Sequence, residues 1–466
     1  MTQLAQPVDL ASSTAQRLTQ LQDRSHGVVH LPGSPEYDQG RFAWNVAVDQ
    51  LPGAVALPQT FEDLCRVVRH AARLGLRITT QTTGHGASVL AEHDLSEVVL
   101  VRTSALRGVH IDPERRVARV ESGAIWQDVV DAAAPHGLAA MHGSAHDVGV
   151  AGYVLGGGMS WYARQHGFAC NNIVAIELVT HEGEIVRADA HHHPDLFWAL
   201  RGGGGNFGVV TTIELNLLPY ADVYAGMMLW PIERAPELLR AYADWSATAP
   251  DEVTASWRIL RFPPLPDLPD FLRGRSVVVL DGAVLLDDDA AAGVLAPFKV
   301  LAPELDTFAR VPSATLTQLH MDPPQPTPGV GGGAVLQQLD EATVETFLDA
   351  VGPGAQTSLL MSELRLLGGA LGRVAEDGGV FDHTTGSHVL FFMTIAPTPE
   401  AVAGGEAEVD RALAALAPHT AKHSVLNFTD RPVDVSLAYS PQAWQMLHWV
   451  KQQVDPGNVF LGNHAL

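Results

Sequence analysis

Three glycine-dense stretches constrain this 466-residue chain more than any other feature. The first is Gly84-His85-Gly86 within "LRITTQTTGHGASVL"; the second is "GVAGYVLGGGMSWYARQHG" at 149–167; the third is "ALRGGGGNFGVV" at 199–210. Glycine loses more conformational freedom on folding than any other residue, so such density needs a geometric reason. Two readings are open: sharp turns in a packed sheet, or backbone brought against a large flat ligand with a diphosphate. Neither long stretch reads Gly-x-Gly-x-x-Gly opening a helix in a βαβ unit, which disfavours a Rossmann site. Neither ends in the Gly-Lys-Ser/Thr of a P-loop. His85 sits where the alternating segment Leu76 to Thr80 breaks into a loop, so its imidazole faces whatever that loop approaches. Gly-His-Gly alone is more often a turn histidine in solvent, but two further glycine segments favour the ligand.

Composition narrows the partners. A net charge of −23 repels nucleic acid and anionic membrane surfaces. No run approaches the roughly 18 apolar residues of a membrane span, and "MTQLAQPVDLASSTAQRLTQLQDRSHG" has neither the basic start nor the apolar centre of a secretory leader, so a cytoplasmic location is expected. Cys65 and Cys170 cannot form a disulfide framework and read as reduced, structural thiols.

Along the chain, Thr60 caps a helix that runs to Leu74, with Gly75 past its end. A strand at Val98 to Arg102, a hairpin turning at Asp112-Pro113 and a helix from Ile125 to about Ala134 follow, and Val209 to Leu217 reads as a strand. Beyond Pro219, strand-like runs ("SVVVLDGAVLL", "SHVLFFMTIAP") alternate with helix-like ones ("RAPELLRAYADWSA", "EATVETFLDAV"), as in a second α+β domain. "SVLNFTD", from 424, reads as a further strand, and a helix closes the chain before the Asp455-Pro456-Gly457-Asn458 turn.

With "TTGHGAS" (82–88), "DVGVAGYVLGGGMSW" (147–161), "HPDLFWALRGGGGNFGVVT" (193–211) and "AYSPQAWQMLHWVKQQVDPGNVFLGN" (438–463) in this order, the chain resembles the berberine-bridge-enzyme-like flavin oxidases of the vanillyl-alcohol-oxidase, or PCMH-type FAD-binding, superfamily. The resemblance implies an α+β, two-domain fold. Residues 1–217 and the returning segment 421–466 would form the FAD-binding domain, and 218–420 a substrate domain on an antiparallel sheet flanked by helices. It implies FAD as cofactor, a small-molecule substrate (an alcohol, a sugar or a specialised metabolite) and O2 as acceptor; oligomeric state is left open. His85 would be the histidine bonded to the flavin 8α carbon. The flavin would lie along Gln81, Thr82, Thr83, Gly84, Gly86 and Ala87, along Ala145, Val148, Gly149, Gly152, Tyr153, Gly156 and Gly157, and near Gly208, Val210 and Asn463.

Departures from the family pattern carry information too. Ala145 occupies the position where many relatives tether the flavin a second time through cysteine, so a single link is expected. Gln81 replaces a common arginine, and Val425 and Phe428 replace the tyrosines of a C-terminal catalytic motif. Val148 stands where the family gates oxygen, with valine permitting access. A flavin dehydrogenase or oxidative cyclase, and a non-redox binding module on the same fold, are the alternatives.

The reaction implied is hydride transfer to flavin N5 with a base taking the adjacent hydroxyl proton. In "MSELRLLGGALGRVAEDGGVFDHTTGSH", alternation places Glu363 and Arg365 on one strand face, either as base and orienting charge or as a surface salt bridge. His383, with an unperturbed pKa near working pH, is a third candidate, or an exposed histidine. Tyr153 is expected to orient a ligand, and Tyr439 to be structural. The run His191 to His193 lacks a second cluster at ligand spacing, and no metal is expected.

Overall fold

The computed structural model describes residues 13–266 and 268–466. The first 12 residues of the N-terminal stretch inspected for a leader lie outside them. Among the described residues no helix is long and apolar enough to cross a membrane.

Three sheets organise the chain. The first has the order Val29–His30, Ala54–Ala56, Val98–Arg102, Arg77–Gln81, and its last three strands run parallel. Parallel neighbours need a crossover. The helix Phe61–Arg73 carries the chain from Ala54–Ala56 to Arg77–Gln81 on the far side of Val98–Arg102, opened by a capping box in which Thr60 and Asp63 satisfy each other's backbone amides. Its stripe of Leu64, Val67, Val68 and Ala71 packs on this sheet. The C-terminal segment adds to the edge: Ile78 N–H donates to Val459 O and Leu461 N–H donates to Ile78 O. Buried Lys451 locks that return, its Nζ donating to Asn206 O, Phe460 O and Asp455.

The next sheet is antiparallel, ordered Val109–Asp112, Val117–Glu121, Val209–Asn216, Ile173–Val179, Ile185–Asp189. The expected hairpin and the strand at 209 belong to it.

The third sheet has eight strands, centred on Asp222–Pro231, Ser276–Val284, Val253–Arg261, Met361–Leu366, His388–Ile395 and Gly329–Leu336 in that order, all antiparallel. Strand side chains alternate between faces, and here the two faces differ in chemistry. One carries Trp230, Trp257, Leu280, Leu364 and Phe392 into a core closed by the helices Ala235–Ser246, Asp288–Lys299, Glu341–Val351 and Pro399–Leu416. The other carries Ser256, Arg258, Asp281, Glu363 and Arg365 beside Met361, Phe391 and Met393. The sequence expectation of an antiparallel sheet flanked by helices is met, with the helices on the apolar face. The charged face is turned across a cavity towards the glycine segments.

One element differs from its sequence expectation. "SVLNFTD" forms no strand; Leu426–Phe428 is a 3-10 turn. Asn427 explains it, because its Oδ1 accepts from Gly158 N–H and its Nδ2 donates to Tyr153 O. The side chain thereby takes the place of a strand partner.

Candidate active site

A cavity of about 450 Å3 lies between the glycine segments and the charged face of the third sheet. Its first wall starts at the end of strand Arg77–Gln81. Gly84 turns the chain at φ +92°, and a Cβ there would sit 2.9 Å from Ala43. His85 then lies flat against Trp44, ring centres 4.2 Å apart and 20° from parallel, with Nδ1 bonded to Thr83 Oγ1 at 2.8 Å. Its Nε2 is 3.5 Å from Asp147 Oδ1; both atoms are buried and neither has another partner. Trp44 Nε1 donates to the other carboxylate oxygen, Oδ2. Burial raises the Asp147 carboxyl, and its contacts with His85 and Trp44 more than offset this, leaving it below its usual range.

The glycine segment at 149–167 lies behind. Gly143 and Gly158 leave space that the Tyr153 ring fills, since a Cβ on Gly158 would fall 2.5 Å from Tyr153 Cε1. Trp126 meets that ring edge-on at 5.3 Å. Tyr153 Oη is buried without a partner, and burial pushes its phenol well above the usual value, so it is no proton acceptor at neutral pH. Gly149 comes so close to Thr82 that a Cβ would lie 2.7 Å from Thr82 Cβ, whereas a Cβ on Gly152 would meet nothing within 4 Å and point into open space.

The opposite wall is a buried charge cluster. Glu363 and Arg365, 1% and 6% exposed, are joined at 2.7 Å through Oε1 and Nε, and Ser256 Oγ donates to the same oxygen at 2.7 Å. The pair is therefore no surface salt bridge. Arg365 lies over Trp161 and Phe428, 5.5 and 5.2 Å from their ring centres. His320, 3% exposed, reaches this pair from a loop. Its Nδ1 is 2.8 Å from Asp281 Oδ2, and its Nε2 is 3.3 Å from Arg365 Nη2 and 3.7 Å from Glu363 Oε1. Arg258 donates to Asp281 and to His320 O. Burial and Arg258 oppose protonation of His320, but Asp281, Asp322 and Glu363 outweigh them and its pKa is raised. Burial likewise opposes ionisation of Glu363, yet Arg365 and His320 hold it well below the usual range.

Most residues expected at the flavin line this cavity: Gln81, Thr82, Thr83, Gly84, His85, Gly86, Ala145, Val148, Gly149, Gly152, Tyr153, Gly156, Gly208, Val210 and Asn463. Asn463 Nδ2 donates to Gly86 O, which ties the C-terminus to the histidine loop. Ala87 and Gly157 are not on its surface; Ala87 starts the helix Ala87–Ala91, and Gly157, at φ +121°, turns against Phe381. His383 is also off the cavity, paired with Asp382 at 2.6 Å. Gln81 is engaged by Gln50 and by Arg102, so a guanidinium still stands next to that position. Cys170 is fully buried, its thiol pushed up to about 12 by burial, and it bonds Phe381 O. Tyr439 Oη donates to Gly202 O, a structural role that also lines the cavity. Among His191, His192 and His193, the first two cap Asp189.

Sequence reasoning missed His320, Asp281, Arg258, Trp44 and Asp147. Asp281 had a signal: it is the lone charge in a largely apolar strand, a pattern that buried pairs create, and Arg258 sits between Trp257 and Ile259 in the neighbouring strand. His320 had none.

Comparison with known proteins agrees with this geometry. Residues 52–189 match the family described as FAD binding domain. The chain is 35% identical over 206 residues to (R)-6-hydroxynicotine oxidase of Paenarthrobacter nicotinovorans, an alignment spanning 44% of each protein and so less than half of that relative. It is 24% identical over 452 residues, 94% of each chain, to an FAD-linked oxidoreductase of Dictyostelium discoideum. Among solved structures, Physcomitrella patens BBE-like 1 superposes with a TM-score of 0.81 at 20% identity, covering 97% of this chain and 99% of that one. The 6-hydroxy-D-nicotine oxidase of Arthrobacter nicotinovorans gives 0.81 at 23%, covering 94% and 97%. Over residues 52–189 the chain is thus similar to FAD binding domains. Its fold is the one seen in Physcomitrella patens BBE-like 1 and 6-hydroxy-D-nicotine oxidase, and the curated relatives it matches are an oxidase and an FAD-linked oxidoreductase.

The walls suit that cofactor. The open space at Gly152 and the partnerless buried atoms Ser122 Oγ and Tyr153 Oη, in residues around the cavity, are what a flat polar ligand would complement.

Proposed function

We propose that the chain oxidises a small alcohol, sugar or specialised metabolite with FAD tethered once, through His85, and with O2 as acceptor. Residues 1–217 and 421–466 would hold the flavin and 218–420 the substrate. The observation that carries this reading is the cavity itself, with His85 on one wall and the buried Glu363, Arg365 and His320 cluster on the other. Bound flavin supplies the two-electron oxidation, accepting hydride from a substrate carbon.

The protein's part is to bind, to orient and to move one proton. Arg365, held between Trp161 and Phe428, orients a substrate oxygen. Glu363 is too acidic to keep a proton near neutral pH and serves as a fixed hydrogen-bond acceptor. His320 lines the cavity with Nδ1 held by Asp281, so in its neutral form it takes the hydroxyl proton at Nε2, and Asp281 stabilises the imidazolium that results. Ala145, in the position of a second tether, supports a single link, and Val148 on the cavity surface supports oxygen as acceptor.

Two measurements test the reading. Acid precipitation of the purified protein should leave flavin absorbance in the pellet. His320→Gln should keep that flavin and slow its anaerobic reduction, by an alcohol or sugar found through peroxide release, about 10^2- to 10^4-fold. Flavin absent from pellet and supernatant after incubation with FAD would favour the binding-module alternative, and an unchanged reduction rate would remove His320 from the chemistry.

A further inference from the structure

We propose that Asp147 is the positioning residue for covalent flavin attachment, holding the Nε2 edge of His85 so that Nδ1 is the nitrogen that makes the bond. The inference rests on the proposed His85 tether. A histidine becomes a nucleophile at one nitrogen only when the proton is kept on the other, and a carboxylate beside one ring edge selects that tautomer. Asp147 has this relation to His85. Its Oδ1 lies 3.5 Å from Nε2, and neither atom is exposed or otherwise bonded. Apo contacts of this length tighten when a site is loaded.

The rest of the arrangement is consistent with that division of labour. Trp44 does two things at once, since its indole N–H fixes Asp147 Oδ2 and its ring face lies against the imidazole. Rotation of the indole would break both contacts. Nδ1, by contrast, is hydrogen-bonded to the Thr83 hydroxyl, which belongs to a residue lining the cavity and can turn its donor elsewhere. Nε2 is buried against Asp147, which leaves Nδ1, on the Thr83 side of the ring, as the nitrogen to meet the 8α carbon.

In the attachment step the Nδ1 lone pair forms the N–C bond as one C–H of the 8α methyl group is lost as a proton; the electron pair of that C–H bond passes into the ring system and leaves the flavin reduced by two electrons. The Nε2 proton is given up towards Asp147, whose charge stabilises the imidazolium before it leaves. Dioxygen, the two-electron oxidant, then restores the oxidised flavin and departs as hydrogen peroxide.

The test follows attachment directly, with no substrate. Full-length apoprotein from riboflavin-starved cells is incubated aerobically with FAD, and acid-stable and acid-released flavin are measured over time for the unaltered chain, Asp147→Asn, Asp147→Glu, Trp44→Phe and His85→Ala. Asp147→Asn should bind as much FAD in total yet attach it at least tenfold more slowly, with partial recovery in Asp147→Glu. Trp44→Phe keeps an aromatic face and loses only the indole donor, and should slow attachment about two- to fivefold. An Asp147→Asn rate equal to that of the unaltered chain overturns the inference. If Asp147→Asn holds no FAD, Trp44→Phe decides, and an unslowed rate there overturns it as well. Bound but wholly acid-released flavin in the unaltered chain would overturn the tether reading itself, whereas acid-stable flavin retained by His85→Ala would move the tether to another residue.

Discussion

The two walls of the cavity are built on opposite principles. One is backbone: Gly84, Gly149, Gly152 and Gly158 are there because a side chain would collide with the protein or fill the space a ligand needs. The other is side chain: Arg258, Asp281, His320, Glu363 and Arg365 are each at least nine-tenths buried and are tolerable only because each charge meets another. A wall of backbone is written in contiguous sequence, since the residues that approach the ligand are neighbours in the chain. A wall of paired charges is written in strands far apart in the chain, and exists only once the register Ser256 to Arg365 and Arg258 to Glu363 is set.

The sharpest way to break the charged wall is Arg258→Met. Asp281, which has no exposed surface, would keep His320 alone as a partner. A loss of about 3–5 kcal/mol is expected from an uncompensated buried charge, read as a shift in the denaturant midpoint at unchanged slope. The double variant Arg258→Met with Asp281→Leu should recover most of that stability, because both charges go together, while flavin reduction stays slow because His320 has lost its partner. A single variant costing under about 1 kcal/mol would mean that packing, not charge pairing, holds this wall.

A smaller effect separates two glycines of the backbone wall. Gly158 has φ +78° and a Cβ there would strike Tyr153 Cε1 at 2.5 Å and Ala169 Cβ at 2.9 Å. Gly158→Ala should cost about 2–5 kcal/mol, from roughly 1–2 for the left-handed backbone and about 1–3 for overpacking. Gly152 lies inside the helix Val150–Leu155 with nothing within 4 Å of its Cβ, so Gly152→Ala should stabilise the flavin-free protein by about 0.5–1 kcal/mol and weaken FAD uptake. Equal effects of the two on stability would erase the distinction between a glycine kept for the fold and one kept for the ligand.

Legibility in the sequence follows the same division. The capped helix at Thr60, the hairpin at Asp112-Pro113 and the glycine segments were readable because their determinants are local: a cap, a turn dipeptide, a run of small residues. Glu363 and Arg365 were readable as a face because alternation is local too. Their burial was not, since it depends on Arg258, Asp281 and His320 arriving from elsewhere. "SVLNFTD" misled for a related reason: its pattern suits a strand, but Asn427 finds its partners far back in the chain, at Tyr153 and Gly158, and the backbone turns to reach them. His85 was legible as a residue at the end of a strand in a glycine loop, and it lines the cavity, whereas Asp147 beside it was only a polar letter in a glycine motif.

The smallest effect concerns a carboxylate that the charged wall leaves unpaired. Asp430 lines the cavity, and its neighbour Arg431 turns away to Asp410 and Glu406 O. A Cβ on Gly331 would lie 2.9 Å from Asp430 Oδ2, so the bare strand Gly329–Leu336 makes the room it occupies. Burial pushes the Asp430 carboxyl up to about 6 from an ordinary 3.8, with Arg431 opposing. Folding therefore favours its protonated form: the stability this gives is complete below the unfolded value and is lost as pH rises through about 6. Asp430→Asn, neutral at every pH, lacks that loss. The variant and the unaltered chain should melt together at about pH 4, and at about pH 7.5 the variant should melt higher, by only about 1–2 °C because the group opens onto solvent in the cavity and the chain is long. Parallel melting curves across this range would show that Asp430 is ionised in both states and that even the unpaired carboxylate of this wall is solvated rather than buried.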